Sequence, residues 1–284
     1  MQTFYNQAIL SHNNVIRTSN IVTGIITDVV SATKNATKDS YTHGDEITYS
    51  VAIVNSGASA INDLVLTDDL GAYTFGTQTL VPLDYVDGSV LYYVNGVLQP
   101  SPTVSTAAGL SISPINLPAN SNAVVIYTTT VNSYAPLGNL QSITNTATIS
   151  GDGIINNITA TEDVEASSTA DLAIVKTLSP TTIYNNGQLT YTFTIQNYGA
   201  AAVELSEDAV ISDTFNPILS NLVVTFNGVP WALGTNYNYN ETSGLFSSIA
   251  GNISVPAAIY SQDTASGVWT VTPGVSVITV TGNI

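Results

Sequence analysis

The chain of 284 residues has no cysteine, three lysines, one arginine, two histidines and no apolar run long enough to cross a membrane. Without cysteine there is neither a disulfide framework nor a thiolate metal site, so robustness outside a cell would need another covalent device. Four basic residues against twenty acidic ones give a net charge of −16. That charge opposes phosphate backbones and anionic lipid, so no nucleic-acid and no membrane partner is expected. His12 and His43 lie in no metal-ligand or nucleophile motif. Both read as turn residues, His43 before a strand and His12 between two N-terminal strands. The carboxylates Asp45-Glu46, Asp84 and Asp87 offer too few convergent oxygens for Ca²⁺. No metal, no cofactor and no enzymatic turnover of a diffusible substrate are expected. The first thirty residues lack a basic stretch followed by an apolar core, and the closing VSVITVTGNI carries no sorting-type signal. Neither signal-directed secretion nor anchoring is therefore expected.

What the chain does have is 44% hydrophobic residues and the length for two cores. Short runs rich in Val, Ile, Thr and Tyr alternate apolar with polar and are punctuated by Gly, Pro, Asn and Asp. Such runs predict strands, and no sustained helical period competes with them. The expected fold class is all-β, as two tandem Ig-like β-sandwiches.

An internal repeat carries most of the remaining information. KNATKDSYTHGDEITYSVAIVNSG from Lys34 aligns without gaps on KTLSPTTIYNNGQLTYTFTIQNYG from Lys176. Lys34, Tyr49, Asn55 and Gly57 meet Lys176, Tyr191, Asn197 and Gly199. Further on, LVLTDDL with Asp68 matches AVISDTF with Asp213, and the hairpin signal Asn95-Gly96 matches Asn227-Gly228. Val125–Val131 matches Ile278–Ile284, where the second unit stops. The first unit continues through SITNTATIS, containing Asn145, and IINNITATEDV. A counterpart of SITNTATIS stands at the other end of the molecule: FYNQAILS, with Asn6 and Ala8 on Asn145 and Ala147.

The expected organisation is a donor-strand segment over residues 1–27, a first domain over 28–165 and a second over 166–284 that lacks its last strands. Alternation places Phe4, Asn6, Ala8 and Leu10 on one face of the donor strand. Val15–Ile26 is expected to add a further strand. An incomplete sandwich exposes an unpaired edge and an open core, which donor-strand insertion from another copy would close. Donor and acceptor are different surfaces, so the contact repeats head to tail into a homopolymeric filament.

Two of the three lysines occupy equivalent repeat positions. A first-strand Lys, a mid-domain Asp and a last-strand Asn resemble the triad that forms spontaneous isopeptide bonds in bacterial pilin and adhesin sandwiches. That resemblance implies an intramolecular Lys34–Asn145 bond assisted by Asp68, with Asp69 as a less well aligned acid. It also implies an intermolecular Lys176–Asn6 bond assisted by Asp213. The segments ADLAIVKTLSPTTIYNNGQLTYTFTIQNYG, VISDTF and SITNTATIS further resemble the bacterial surface-repeat family called domain of unknown function eleven. This family implies Ig-like repeats in extracellular proteins and says little about ligands. More narrowly, a two-unit chain without a signal is similar to the ribbon subunits of spore appendages in anaerobic spore-formers. The resemblance implies an extracellular location on the spore surface, reached when the mother cell lyses. The alternative is a monomeric adhesin or carbohydrate-binding module using Trp231, Tyr237, Tyr239 and Trp269, residues that packing in strands or at interdomain contacts explains better. Four Asn-x-Ser/Thr sequons, at Asn35, Asn157, Asn240 and Asn252, are expected by chance in so Asn- and Thr-rich a chain.

Overall fold

The computed structural model describes residues 2–26, 28–107 and 109–284. The outer limits Met1 and Thr27 of the expected donor segment lie outside them. The fold is all-β, as expected, with one short 3-10 turn, Leu205–Glu207, among the described residues. The chain divides into two compact units, Met1–Asn132 with Ile143–Val164, and Ser133–Ser142 with Glu165–Ile284.

The N-terminal strands are β1 (Gln2–Asn6), β2 (Ile9–His12), β3 (Val15–Thr18) and β4 (Val22–Ile26). They make one long hairpin: β2 pairs with β3 around an Asn13-Asn14 turn, and β1 pairs with β4. Both turn residues have positive φ, the conformation that two-residue hairpin loops favour. Ser19 and Ala8 join the two blocks, Ala8 N–H donating to Ser19 Oγ at 2.9 Å. Among the described residues these strands pair only with one another.

The first sandwich continues with β5 (Val30–Ala36), β6 (Ser40–Tyr41), β7 (Glu46–Asn55), β8 (Ile61–Asp68), β9 (Tyr73–Phe75), β10 (Gln78–Leu80) and β11 (Leu83–Tyr85). Then come β12 (Leu91–Val94), β13 (Val97–Leu98), β14 (Thr103–Ser105), β15 (Leu110–Leu117), β16 (Ser121–Val131), β17 (Ser142–Ser150) and β18 (Ile158–Ala166). One sheet runs β13-β12-β16-β7-β5, and the other runs β14-β15-β8-β17-β18-β6. Strict alternation on the long strands puts Tyr49, Val51 and Ile53 of β7, Leu64 and Leu66 of β8, and Val125 and Tyr127 of β16 into the core. The β17–β18 hairpin closes it: β17 pairs with β8, placing Ala147 opposite Asp68 and Ile149 opposite Leu66. Its inward residues Ile143, Asn145, Ala147 and Ile149 are all buried.

The second unit contains β19 (Leu172–Ser179), β20 (Gln188–Asn197), β21 (Ser212–Thr214), β22 (Ser220–Phe226) and β23 (Val229–Trp231). It ends with β24 (Tyr237–Asn240), β25 (Leu245–Ser248), β26 (Ile259–Gln262), β27 (Trp269–Thr272) and β28 (Gly274–Asn283). A five-stranded sheet β19-β20-β28-β22-β23 faces a three-stranded sheet β21-β25-β24. An aromatic core joins them, Tyr191 stacking on Phe215 at 4.9 Å and Phe193 on Phe246 at 6.5 Å. The Asn-Gly pairs 95–96 and 227–228 turn the β12–β13 and β22–β23 hairpins, each residue with positive φ, as their chemistry requires.

The two units differ at one edge. In the first, β8 is paired on both sides, with β15 and with β17. In the second, the equivalent strand β21 pairs among the described residues only with β25. Every residue of β19 is exposed, whereas its counterpart β5 buries Val30 and Lys34.

A buried lysine cluster and its open counterpart

In the first unit Lys34 reaches across from β5 to Asp68 on β8, Nζ donating to Oδ2 at 2.6 Å with both side chains 0% exposed. The Tyr127 hydroxyl, from β16, donates to the same carboxylate oxygen. Asp68 Oδ1 accepts the Leu70 N–H at 3.0 Å, so the carboxylate is held from both ends. Lys34 Nζ also sits over the Tyr49 ring, 4.7 Å from its centroid, a contact that favours the cation. Burial nevertheless dominates and pulls the Lys34 amine below its ordinary 10.5, with Asp68 opposing. Burial likewise pushes the Tyr49 and Tyr127 phenols up, with the Asp68 charge adding to both.

Asn145 completes the cluster from β17. Its carboxamide lies beside the Tyr49 and Tyr127 hydroxyls. Yet neither its nitrogen nor its oxygen makes a properly oriented hydrogen bond, and neither does the Tyr49 hydroxyl. A buried polar group without a partner costs about 1–3 kcal/mol. An amide left so, beside the two tyrosines that themselves contact the buried amine and its carboxylate, is an uncommon arrangement. Asp69 does not join it: its Oδ1 accepts the backbone N–H groups of Gly71 and Thr146 at 2.9 Å each, and it braces β17 from outside.

The repeat residues sort by role. Asn55 and Asn197 are buried and fully used, each tying its own loop: Asn55 Nδ2 donates to the Ser59 and Pro118 carbonyls, Asn197 Nδ2 to those of Ala201 and Pro256. Gly57 and Gly199 donate back to the same side chains. That pair is structural. The lysine–aspartate pair is the other part of the repeat, and the two side chains meet in both units.

In the second unit Lys176 Nζ donates to Asp213 Oδ2 and lies 4.4 Å from the Tyr191 centroid, the same arrangement as in the first. The surroundings differ in two ways. Lys176 and Asp213 side chains are 41% and 20% exposed. Opposite Tyr191 stands Val280, where the first unit has Tyr127 opposite Tyr49, so no phenol meets this carboxylate from that position.

Lys176 belongs to the second unit, whereas Asn6 ends β1 in the N-terminal hairpin of the first. Phe4 and Leu10 on its face are 47% and 67% exposed, and the Phe4 ring lies over Gly24, directly opposite it in register. An apolar groove of about 200 Å³ lies beside the segment that leads into β21, lined by Leu172, Ile174, Ile195, Val210, Ile211 and Val255. Neither Tyr127 nor this groove is legible in the sequence. A tyrosine at a core-facing strand position has no local mark of its partner, and the groove exists only through long-range pairing.

The remaining candidates have ordinary roles. Tyr237 is buried, Tyr239 hydrogen-bonds to both polar backbone groups of Leu219, and Trp231 stacks on Phe226 at 5.3 Å. The Trp269 indole N–H is buried. Asp45 pairs with Lys38 at 3.3 Å, and Asp84 accepts from Asn132 at 3.1 Å. Among the described residues no three His, Cys, Asp or Glu converge, and no helix is long and apolar enough to cross a membrane.

No protein-family profile and no curated protein matches the chain. Solved structures similar to it include a family 123 glycoside hydrolase from Clostridium perfringens, at 11% identity and a TM-score of 0.28 over 48% of this chain. The pilus backbone protein of Streptococcus pneumoniae is 12% identical, with a TM-score of 0.33 over 86% of this chain. The chain spans 27% and 55% of those two proteins. The major pilin subunit of Bacillus cereus is 12% identical, with a TM-score of 0.35 over 96% of this chain and 73% of that one. Scores this low leave the fold resting on the geometry described above.

Proposed function

We propose that the chain is a structural subunit of an extracellular filament, joined head to tail by insertion of its N-terminal hairpin into the second unit of the next copy. One observation carries this reading. The four inward residues of β17, Ile143, Asn145, Ala147 and Ile149, are buried against β8. Their sequence counterparts Phe4, Asn6, Ala8 and Leu10 lie on an exposed hairpin, while β21, the counterpart of β8, keeps a free edge among the described residues. Exposed apolar strand faces and unpaired edges are states that a chain relieves by association.

The lysine clusters support covalent sealing. In the first unit the buried Lys34 amine, its proton passed to Asp68, attacks Cγ of Asn145. The new C–N bond replaces the bond to Nδ2, the Asp68 proton leaves with that nitrogen as ammonia, and the second proton of the attacking amine passes back to Asp68, leaving a neutral secondary amide. Tyr127 positions the Asp68 carboxyl. In the second unit Lys176 and Asp213 await an amide, and Asn6 of another copy supplies it. The resemblance to spore-appendage ribbon subunits extends the reading to a spore surface, with membership of the surface-repeat family part of the same proposal. Homopolymer contacts, rather than a nucleic acid or a membrane, are then the principal partners.

Deletion of residues 1–27 tests the joint. The shortened chain is expected to keep its β-rich circular dichroism and to stay monomeric by light scattering under conditions that assemble the full chain. Filaments of unchanged yield from the shortened chain would reject the reading.

A further inference from the structure

Building on the head-to-tail reading, we infer that the acceptor takes the N-terminal segment as a whole two-stranded hairpin, in one register that sets Ala8 of the incoming copy opposite Asp213. In the first unit the pairs are Ala147 with Asp68, Thr148 with Thr67, Ile149 with Leu66 and Ser150 with Val65. Carried over by the repeat, they become Ala8 with Asp213, Ile9 with Ser212, Leu10 with Ile211 and Ser11 with Val210. This register has three consequences that agree with one another. Leu10 drops into the apolar groove beside Ile211, as Ile149 lies beside Leu66 in the first unit. Asn6, two residues before Ala8, stands to Lys176 and Asp213 as Asn145 stands to Lys34 and Asp68. Ile9 and Ser212 face outward, as do Thr67 and Thr148, whose hydroxyl and carbonyl meet at 3.4 Å.

The second strand of the hairpin has its own place. In the first unit β18 lies between β17 and the short strand β6, Ser40–Tyr41. The repeat puts Thr182 and Ile183 at the β6 positions, and in the second unit they form no strand. The incoming β4 is the strand they lack, with Val22 and Gly24 toward the core where β18 turns in Glu162 and Val164. Insertion thus orders a segment of the acceptor as well as filling it. It also covers Lys176 and Asp213, so the second cluster reaches the buried condition of the first only when a partner is seated.

The absence of cysteine makes the register directly readable. One chain carrying Ile9→Cys is mixed with another carrying Ser212→Cys, assembled, oxidised and digested, and linked peptides are identified by mass. Because each chain has one thiol, any peptide joining the two sites is intermolecular. Gln7→Cys and Ser11→Cys, each against Ser212→Cys, are the two-residue shifts. The in-register pair is expected to link at least about ten times faster than either shift, since disulfide geometry tolerates little displacement. Faster linking of a shifted pair would overturn the register while leaving head-to-tail joining intact. No intermolecular pair in any combination, whether or not filaments form, would overturn both. Amide exchange on the unsubstituted full chain gives a second measure. Thr182 and Ile183 should gain at least about tenfold protection on assembly, and unchanged exchange there would reject the two-stranded seat.

Discussion

Lys34 is an uncommon residue because a cation in an apolar interior must be compensated or neutralised. Asp68 and the Tyr49 ring compensate it, and burial shifts it toward the free amine that a carboxamide can capture. Asn145→Ala should leave Lys34 an amine, and intact mass should then show no ammonia lost from the first unit. That variant should also show a distinctive pH dependence. The folded Lys34 pKa lies below its unfolded value of 10.5, so folding releases a proton and stability rises with pH through the window between the two. From about pH 10 the phenols Tyr49 and Tyr127, held protonated by burial, oppose the gain. Urea titrations at successive pH values check the slope. Adding Asp68→Ala to this variant strands the buried amine and should cost about 3–5 kcal/mol, measured the same way. Lys34, Asp68 and Asn145 could be picked out in the sequence because lysine is scarce and the repeat aligns two of its three copies. Tyr127 could not, because a core tyrosine and a positioning tyrosine share one alternation pattern.

At the level of elements, the N-terminal hairpin and the β17–β18 hairpin share a sequence pattern, FYNQAILS against ITNTATIS. They differ in the setting of their apolar faces, one buried and one exposed. A face-specific result follows. Leu10→Asp puts a charge where the groove beside Ile211 would receive a methyl-rich side chain, and assembly should fall by at least about tenfold in rate. Ser11→Asp, on the opposite face with an exposed side chain, should change it by less than about twofold, since surface substitutions away from packed features have small effects. Time-resolved light scattering compares the two. Strand alternation and the Asn-Gly turns made the long strands and two hairpins legible, since those signals are local. The short strands β9, β10 and β14 and the hairpin β26–β27 carry no comparable pattern. The free edge of β21 is a property of which strands pair across the chain, so no local stretch announces it.

For the whole molecule, a net charge of −16 means that copies repel before they meet. Raised salt should therefore speed assembly by screening that repulsion, which stopped-flow scattering would record as a rate increasing with ionic strength. A basic docking surface would show the opposite trend. In the proposed filament, one copy's N-terminus closes another copy's second unit. The most direct test of that joint is assembly from an equal mixture of ¹⁴N and ¹⁵N chains, followed by full denaturation, digestion and mass analysis of peptides joining Asn6 to Lys176. Linked peptides one ammonia lighter than their sum are expected, with half of them carrying one light and one heavy partner. Linked peptides of matched isotope alone would mean that each chain inserts into itself, and the absence of any such peptide from assembled material would contradict the sealed joint.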